Sequence, residues 1–248
     1  MSALLAVSIT MIMCVHNIHL LTNYETTWYG SNLKAYEMVH QDNMIGEIRK
    51  IVVHDGHPGP KEIGVNEEFL EWLTDPKLNG AGALTDFGCY GANLATWFMK
   101  GETPETVSCI TQQIKPEKYP KVEDEATIIL TYPKAQILIQ ASWNWSHNRK
   151  DMTVYGQTGY VYCKNGTEMV VLENEKEGSF PMIATPIQKG IHDPFAFMTK
   201  VIKESYPLEE FGLSAPENNK IVMQILEAAK HSAKSGERVV WETFFEEG

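Results

Sequence analysis

Glu125-Ala126-Thr127-Ile128-Ile129-Leu130-Thr131-Tyr132-Pro133-Lys134-Ala135-Gln136-Ile137-Leu138-Ile139-Gln140-Ala141-Ser142-Trp143-Asn144-Trp145 is the stretch that decides the architecture. Two runs, Glu125 to Tyr132 and Ala135 to Trp145, alternate or carry β-branched residues, and the tight Tyr132-Pro133-Lys134 turn between them makes a β-hairpin. Working outward, further strands are predicted at Ile48 to Val53, Thr106 to Gln112, Met152 to Gly156, Tyr160 to Cys163, Glu168 to Leu172 and Arg238 to Trp241. Gly156, Gly159 and Gly166 serve the turns between them. Successive hairpins imply a largely antiparallel sheet.

Helical spacing flanks this middle section. Helices are predicted over Ser31 to Asp42, over Asn66 to Asp75 before Pro76, and from Thr85 or Asp86 towards Lys100. Two more follow at His192 to Glu204 and at Pro216 to Lys234, the latter begun by Ser214 and ended by Gly236. Strands in the middle and helices at both ends give an α+β class: an open, mostly antiparallel sheet with helices packed on one face.

At 248 residues, 43% of them apolar and 21% charged, the chain is long enough to bury a sizeable core. A net charge of -11 argues against nucleic-acid or anionic-membrane surfaces, which need a concentrated positive patch. Cys14, Cys89, Cys109 and Cys163 lack the spacing of a zinc site and are read as reduced thiols of a cytoplasmic protein. The apolar stretch Ala3 to Val15 has no basic residue before it and is too short to span a bilayer, so a packed terminal helix or strand is expected there.

Gly80-Ala81-Gly82-Ala83-Leu84-Thr85 approaches a dinucleotide fingerprint but has Thr at the third glycine position and follows a loop instead of a strand. It is not read as a phosphate cradle. The segment it opens, Asn79 to Leu94, is nevertheless the most informative for chemistry. Asp86, Tyr90 and Asn93 share one helical face, although the same pattern suits Asp86 as a helix cap with Tyr90 packed beside Phe87, Leu94 and Trp97. Other candidates are Asp55-Gly56-His57 at the end of the first strand, the run Trp143 to Lys150 after the hairpin, and Tyr24 and Trp28 near the start. Aromatic rings beside amides, His and Arg suit the apolar faces and hydroxyls of a sugar-like polyol. The plainer alternative makes Trp143 and Trp145 core and leaves Arg149 and Lys150 solvated. His54 and His57 flank Asp55, but no third ligand is placed, so no metal site is expected.

The Asn79 to Leu94 segment resembles the G-G-G-x-x-x-D-x-G-x-H/Y segment of the Gfo/Idh/MocA oxidoreductases, which pair an N-terminal Rossmann domain with a C-terminal α/β substrate domain. Met44-Ile45-Gly46-Glu47-Ile48, the hairpin, Val154 to Gly159 and the helix Ile225 to Ser235 resemble the same family in the same order, over residues 21–242. The resemblance implies an NAD- or NADP-dependent oxidoreductase acting on a sugar or cyclitol. It puts Asp86 at the acid position and Tyr90 at the proton-transfer position, beside which Tyr24, His57, Asn93, Trp145, His147 and Arg149 are the candidate substrate contacts. It also implies a homo-oligomer formed through the sheet face.

A tyrosine of ordinary pKa near 10 is a poor base at neutral pH without a nearby cation. In the family a lysine of a Glu-Lys-Pro segment supplies that cation, and no Glu-Lys-Pro precedes Tyr24. Residues 1–30 are therefore expected to be a remnant or replacement of the end of the Rossmann domain, and residues 31–248 the substrate and association domain. NAD or NADP is then not expected to bind this chain alone, and the other half could come from a separate Rossmann-domain chain. The rival expectation is a non-catalytic sugar-binding or dimerisation module.

Overall fold

The computed structural model describes residues 18–246, so the apolar stretch Ala3 to Val15 and Cys14 lie outside the described residues. After a short 3-10 turn at Glu25–Trp28, the elements are α1 (Gly30–His40), β1 (Lys50–Gly56), α2 (Glu67–Leu73), α3 (Ala83–Phe98), β2 (Thr106–Gln112) and β3 (Glu125–Thr131). Then come β4 (Gln136–Ser142), β5 (Arg149–Tyr155), β6 (Tyr160–Cys163), β7 (Glu168–Leu172), β8 (Phe180–Ile183), α4 (Pro194–Glu204), α5 (Pro216–Ser235), β9 (Val239–Val240) and α6 (Trp241–Glu246). The strands form one nine-stranded sheet in the order β8-β7-β6-β5-β1-β4-β3-β2-β9.

The α+β class and the mostly antiparallel sheet agree with the sequence. One pairing departs from a chain of hairpins: β1 inserts between β4 and β5 and runs parallel to β4. The link from β4 to β5, Trp143 to Asn148, must therefore pass the end of β1. It passes so closely that a Cβ on Gly56, at φ +150°, would lie 1.9 Å from the Ser142 carbonyl oxygen and 2.8 Å from Trp145. Only glycine fits there. This crossing gathers the ends of β1, β4 and β5 at one place, and the candidate site lies beside it.

Strand alternation splits the sheet into two faces. Ile51, Val53, Ile128, Leu130, Ile137 and Ile139 point to one side, where they are fully or almost fully buried under α3 and α5. Each such side chain contributes about 1.5–3 kcal/mol by leaving water. Gly88 and Gly91 let α3 settle on the sheet, since a Cβ on Gly91 would stand 2.4 Å from Ile139 Cγ2. The other side carries Val52, Leu138, Ile129 and Tyr162, half-buried with no described element over them.

Helix ends differ from expectation in informative ways. α3 starts at Ala83, before Thr85 or Asp86, and Asp86 is not its cap. Its first amides are satisfied from afar, with Glu123 Oε1 accepting from Gly82 N at 2.7 Å and Leu84 N at 3.0 Å. α5 begins without a side-chain cap at Ala215, with Pro216 leading, while the Ser214 carbonyl accepts from Thr22 N. β8 and α6 were not expected; β8 contains Pro181, tolerable because it is an edge strand. Among the described residues no helix is long and apolar enough to cross a membrane, and no cluster of His, Cys, Asp and Glu could hold a metal ion.

Candidate active site

The site forms where the first turns of α3 meet the gathered ends of β1, β4 and β5. Asp86 and Tyr90 are one helical turn apart on α3. Asp86 Oδ2 accepts a hydrogen bond from the indole N–H of fully buried Trp143 at 2.8 Å. Burial pushes the Asp86 carboxyl up to about 6, against the lowering pull of the Trp143 bond and the Lys150 charge. A carboxylate of that basicity can take a proton near neutral pH.

Tyr90 packs between Phe87 and Tyr24, with ring centroids 5.8 and 5.5 Å away. Burial raises its phenol, and the charges of Cys89, Asp86, Glu25 and Asp55 raise it further; no protein hydrogen bond from the described residues acts on it. Tyr24 is fixed in turn, its hydroxyl donating to Asn219 Oδ1 at 2.6 Å. His57 stands edge-on to Phe87 at 4.9 Å, and its Nδ1 accepts from Gly59 N at 2.9 Å, which leaves the proton on Nε2. Burial, reinforced by the Lys150 charge, lowers the imidazole to about 4, so it is neutral at pH 7.

Two further residues from the candidate strand-end runs, Lys150 and Asp55, lie beside them. Lys150 ion-pairs with Glu25 of the 3-10 turn, and its Nζ overhangs the Tyr90 ring at 5.5 Å from the centroid. Asp55, its register partner on β1, is completely buried. Their meeting across the β1–β5 ladder rests on strand register, which no local pattern reveals.

Four of the expected residues, Asp86, Tyr90, Tyr24 and His57, come together. Trp145 and Arg149 do not: they sit on the uncovered face of the sheet, the guanidinium 4.4 Å over the indole. There Arg149 Nε donates to Asp151 Oδ1 at 2.5 Å, and His54 Nδ1 lies 2.9 Å from Asp151 Oδ2. The alternation that put Trp143 and Trp145 on one face ends with β4 at Ser142, and the crossing loop sends them to opposite sides. His147 is exposed in that loop, bonded only to its neighbour Ser146. Asn93 is fully buried and offers a substrate no surface; its amide donates to the Leu213 carbonyl at 2.9 Å and to Asn218 Oδ1 at 3.0 Å, fastening α3 to α5.

The sequence model of the GFO/IDH/MocA C-terminal domain matches residues 33–162, more than half of the 248. The chain belongs to the GFO/IDH/MocA family. Among solved structures it is similar to an aldose-aldose oxidoreductase from Caulobacter crescentus complexed with glycerol, at TM-score 0.78 and 19% identity over 96% of this chain and 69% of that one. It is also similar to an oxidoreductase from Agrobacterium radiobacter in complex with NAD+, L-tartaric acid and magnesium, at TM-score 0.76 and 17% identity over 98% and 71%. An inositol dehydrogenase homolog from Azotobacter vinelandii complexed with NAD+ matches at TM-score 0.67 and 18% identity over 96% and 69%. No curated protein sequence matches the chain.

The family implies a dinucleotide, and its pyrophosphate needs free backbone amides at a helix start. The glycine-rich start of α3 does not provide them, because Glu123 already takes the Gly82 and Leu84 amides. A Cβ at Gly82 would moreover lie 1.9 Å from the Glu123 carbonyl, so the backbone there is pressed against protein. The glycine-rich start of α3 therefore does not fit a pyrophosphate.

Proposed function

We propose that this domain holds a sugar- or cyclitol-like substrate of an NAD- or NADP-dependent oxidoreductase, with Asp86 and Tyr90 handling the proton at the reacting oxygen. The observation that carries the reading is the pairing of a basic, Trp143-anchored carboxylate with a phenol one turn along α3. Tyr90 exchanges its phenolic proton with the reacting oxygen, and Asp86, whose carboxyl can take or give a proton near neutral pH, supports that exchange one turn away. Tyr24 and His57 line the same place, and neutral His57 offers its Nε2–H to a hydroxyl. Trp145, His147 and Arg149 lie away from this place and Asn93 is enclosed, so the proposed contacts narrow to Tyr24 and His57.

The dinucleotide would be held by the family's Rossmann domain, whichever chain carries it. The test is turnover of polyols by the domain assembled with such a partner. Y90F should cost at least about 100-fold in kcat, the lower end of what one positioned proton-transfer group contributes. Unchanged turnover would remove Tyr90 from the chemistry, and no turnover in the unmodified assembly would favour the non-catalytic module.

A second reading concerns the uncovered face of the sheet. We propose that two copies associate through it, supported by the half-buried apolar row Val52, Leu138, Ile129 on adjacent strands.

A further inference from the structure

Lys150 stands near three carboxyl groups, Glu25, Asp55 and Asp86, and is bonded only to Glu25. Glu25, the partner it has, sits at the rim, its side chain 54% exposed and open to water. Asp55, the partner it lacks, is its register neighbour across the β1–β5 ladder, so both side chains leave the sheet on the helix-covered side. Neither Asp55 oxygen has a hydrogen-bond partner among the described residues, a costly state for a buried carboxyl. Burial raises the Asp55 carboxyl well above the ordinary carboxylate range, so an ammonium turned inward would meet an acceptor whose own charge is suppressed, and Tyr90 lies under that ammonium.

We propose that Lys150 is the positioning cation of Tyr90, held off by its ion pair with Glu25 and brought to full effect when that pair opens and the ammonium turns inward towards Asp55. The inference rests on the reading of Asp86 and Tyr90 given above. It supplies the positive charge that a phenol needs before it can exchange a proton near neutral pH. Asp86 and Cys89 face Tyr90 from α3, Tyr24 and Glu25 from the opening segment, Asp55 from β1 and Lys150 from β5. Lys150 is the one cation in that set. Paired with Glu25, it presents Tyr90 with a nearly cancelled charge; unpaired, its field favours the phenolate.

The test reads Tyr90 directly, in the full chain labelled with ¹³Cζ-tyrosine, its resonance assigned by Y90F and titrated by NMR upward from pH 7. Glu25→Gln, a change at an exposed side chain, should lower the Tyr90 midpoint by about one pH unit, a tenfold gain in phenolate at fixed pH. Part of that gain comes from losing the Glu25 charge itself, so the decisive comparison is within the E25Q background. There Lys150→Met should reverse most of the gain and Lys150→Arg should keep it. Equal midpoints in E25Q and E25Q/K150M would overturn the proposal, as would K150R behaving like K150M, which would mark a packing effect. Because the titration needs no substrate, it can fail while the oxidoreductase reading stands, and turnover can fail while the coupling stands.

Discussion

At the scale of single residues, the site is a set of carboxyl groups whose protonation costs differ because their surroundings differ. Asp86 titrates near 6 in the folded chain, against about 3.9 for a free aspartate. A carboxyl raised on folding binds its proton more tightly in the native state. Its contribution to stability is therefore complete below about pH 4 and lost as the pH rises through about 6. Asp86→Asn removes this dependence while its amide oxygen can still accept the Trp143 N–H. Relative to D86N, the unmodified chain should lose about 2 kcal/mol between pH 4 and pH 7, measured by urea unfolding at each pH. Parallel curves for the two proteins would mean that Asp86 is as well solvated as a surface carboxylate. Asp86 and Tyr90 were legible in the sequence because helical spacing alone puts i and i+4 side by side. Asp55 and Lys150 were candidates too, but their meeting was not legible, since it depends on which strand pairs with which, and Glu25 reaches Lys150 across 125 positions.

At the scale of elements, α3 is the support of the site, and its distance from the sheet is set by glycine. In an exposed helix Gly→Ala stabilises by about 1 kcal/mol, through propensity alone. At Gly91 the new methyl would meet Ile139 Cγ2 on β4 at 2.4 Å, and overpacking of this kind costs about 1–3 kcal/mol. Packing should win, so G91A is expected to lower the melting temperature and to tilt Asp86 away from Trp143. A raised melting temperature would show that α3 is free to lift. The strands at Thr106 to Gln112, Tyr160 to Cys163 and Glu168 to Leu172 match their sequence reading residue for residue, because each is bounded by turn residues. The start of α3 was misplaced for a physical reason: its cap is a carboxylate from a distant loop, and local sequence carries no trace of it.

At the scale of the whole molecule, the sheet has a helix-covered face that carries the site and an opposite face with no described element over it. Register lines up Tyr162, Thr153, Val52, Leu138, Ile129 and Ser108 in one row across β6, β5, β1, β4, β3 and β2. The row contains no charged side chain, in a chain whose net charge is -11. Like charge elsewhere on the surface opposes association, while this row favours it, so the balance should depend on salt. At ~0.15 M salt the screening length is about 8 Å, short enough to mute repulsion between distant carboxylates without weakening apolar burial. The chain is therefore expected to be dimeric by light scattering at moderate salt and to dissociate as salt is lowered. Leu138→Arg, at the middle of the row, should give a folded monomer at every salt concentration, because a buried guanidinium facing its own symmetry mate has no counter-charge to meet. If L138R remains dimeric, the copies meet through another surface; if dimers strengthen at low salt, ion pairs and not this apolar row hold them.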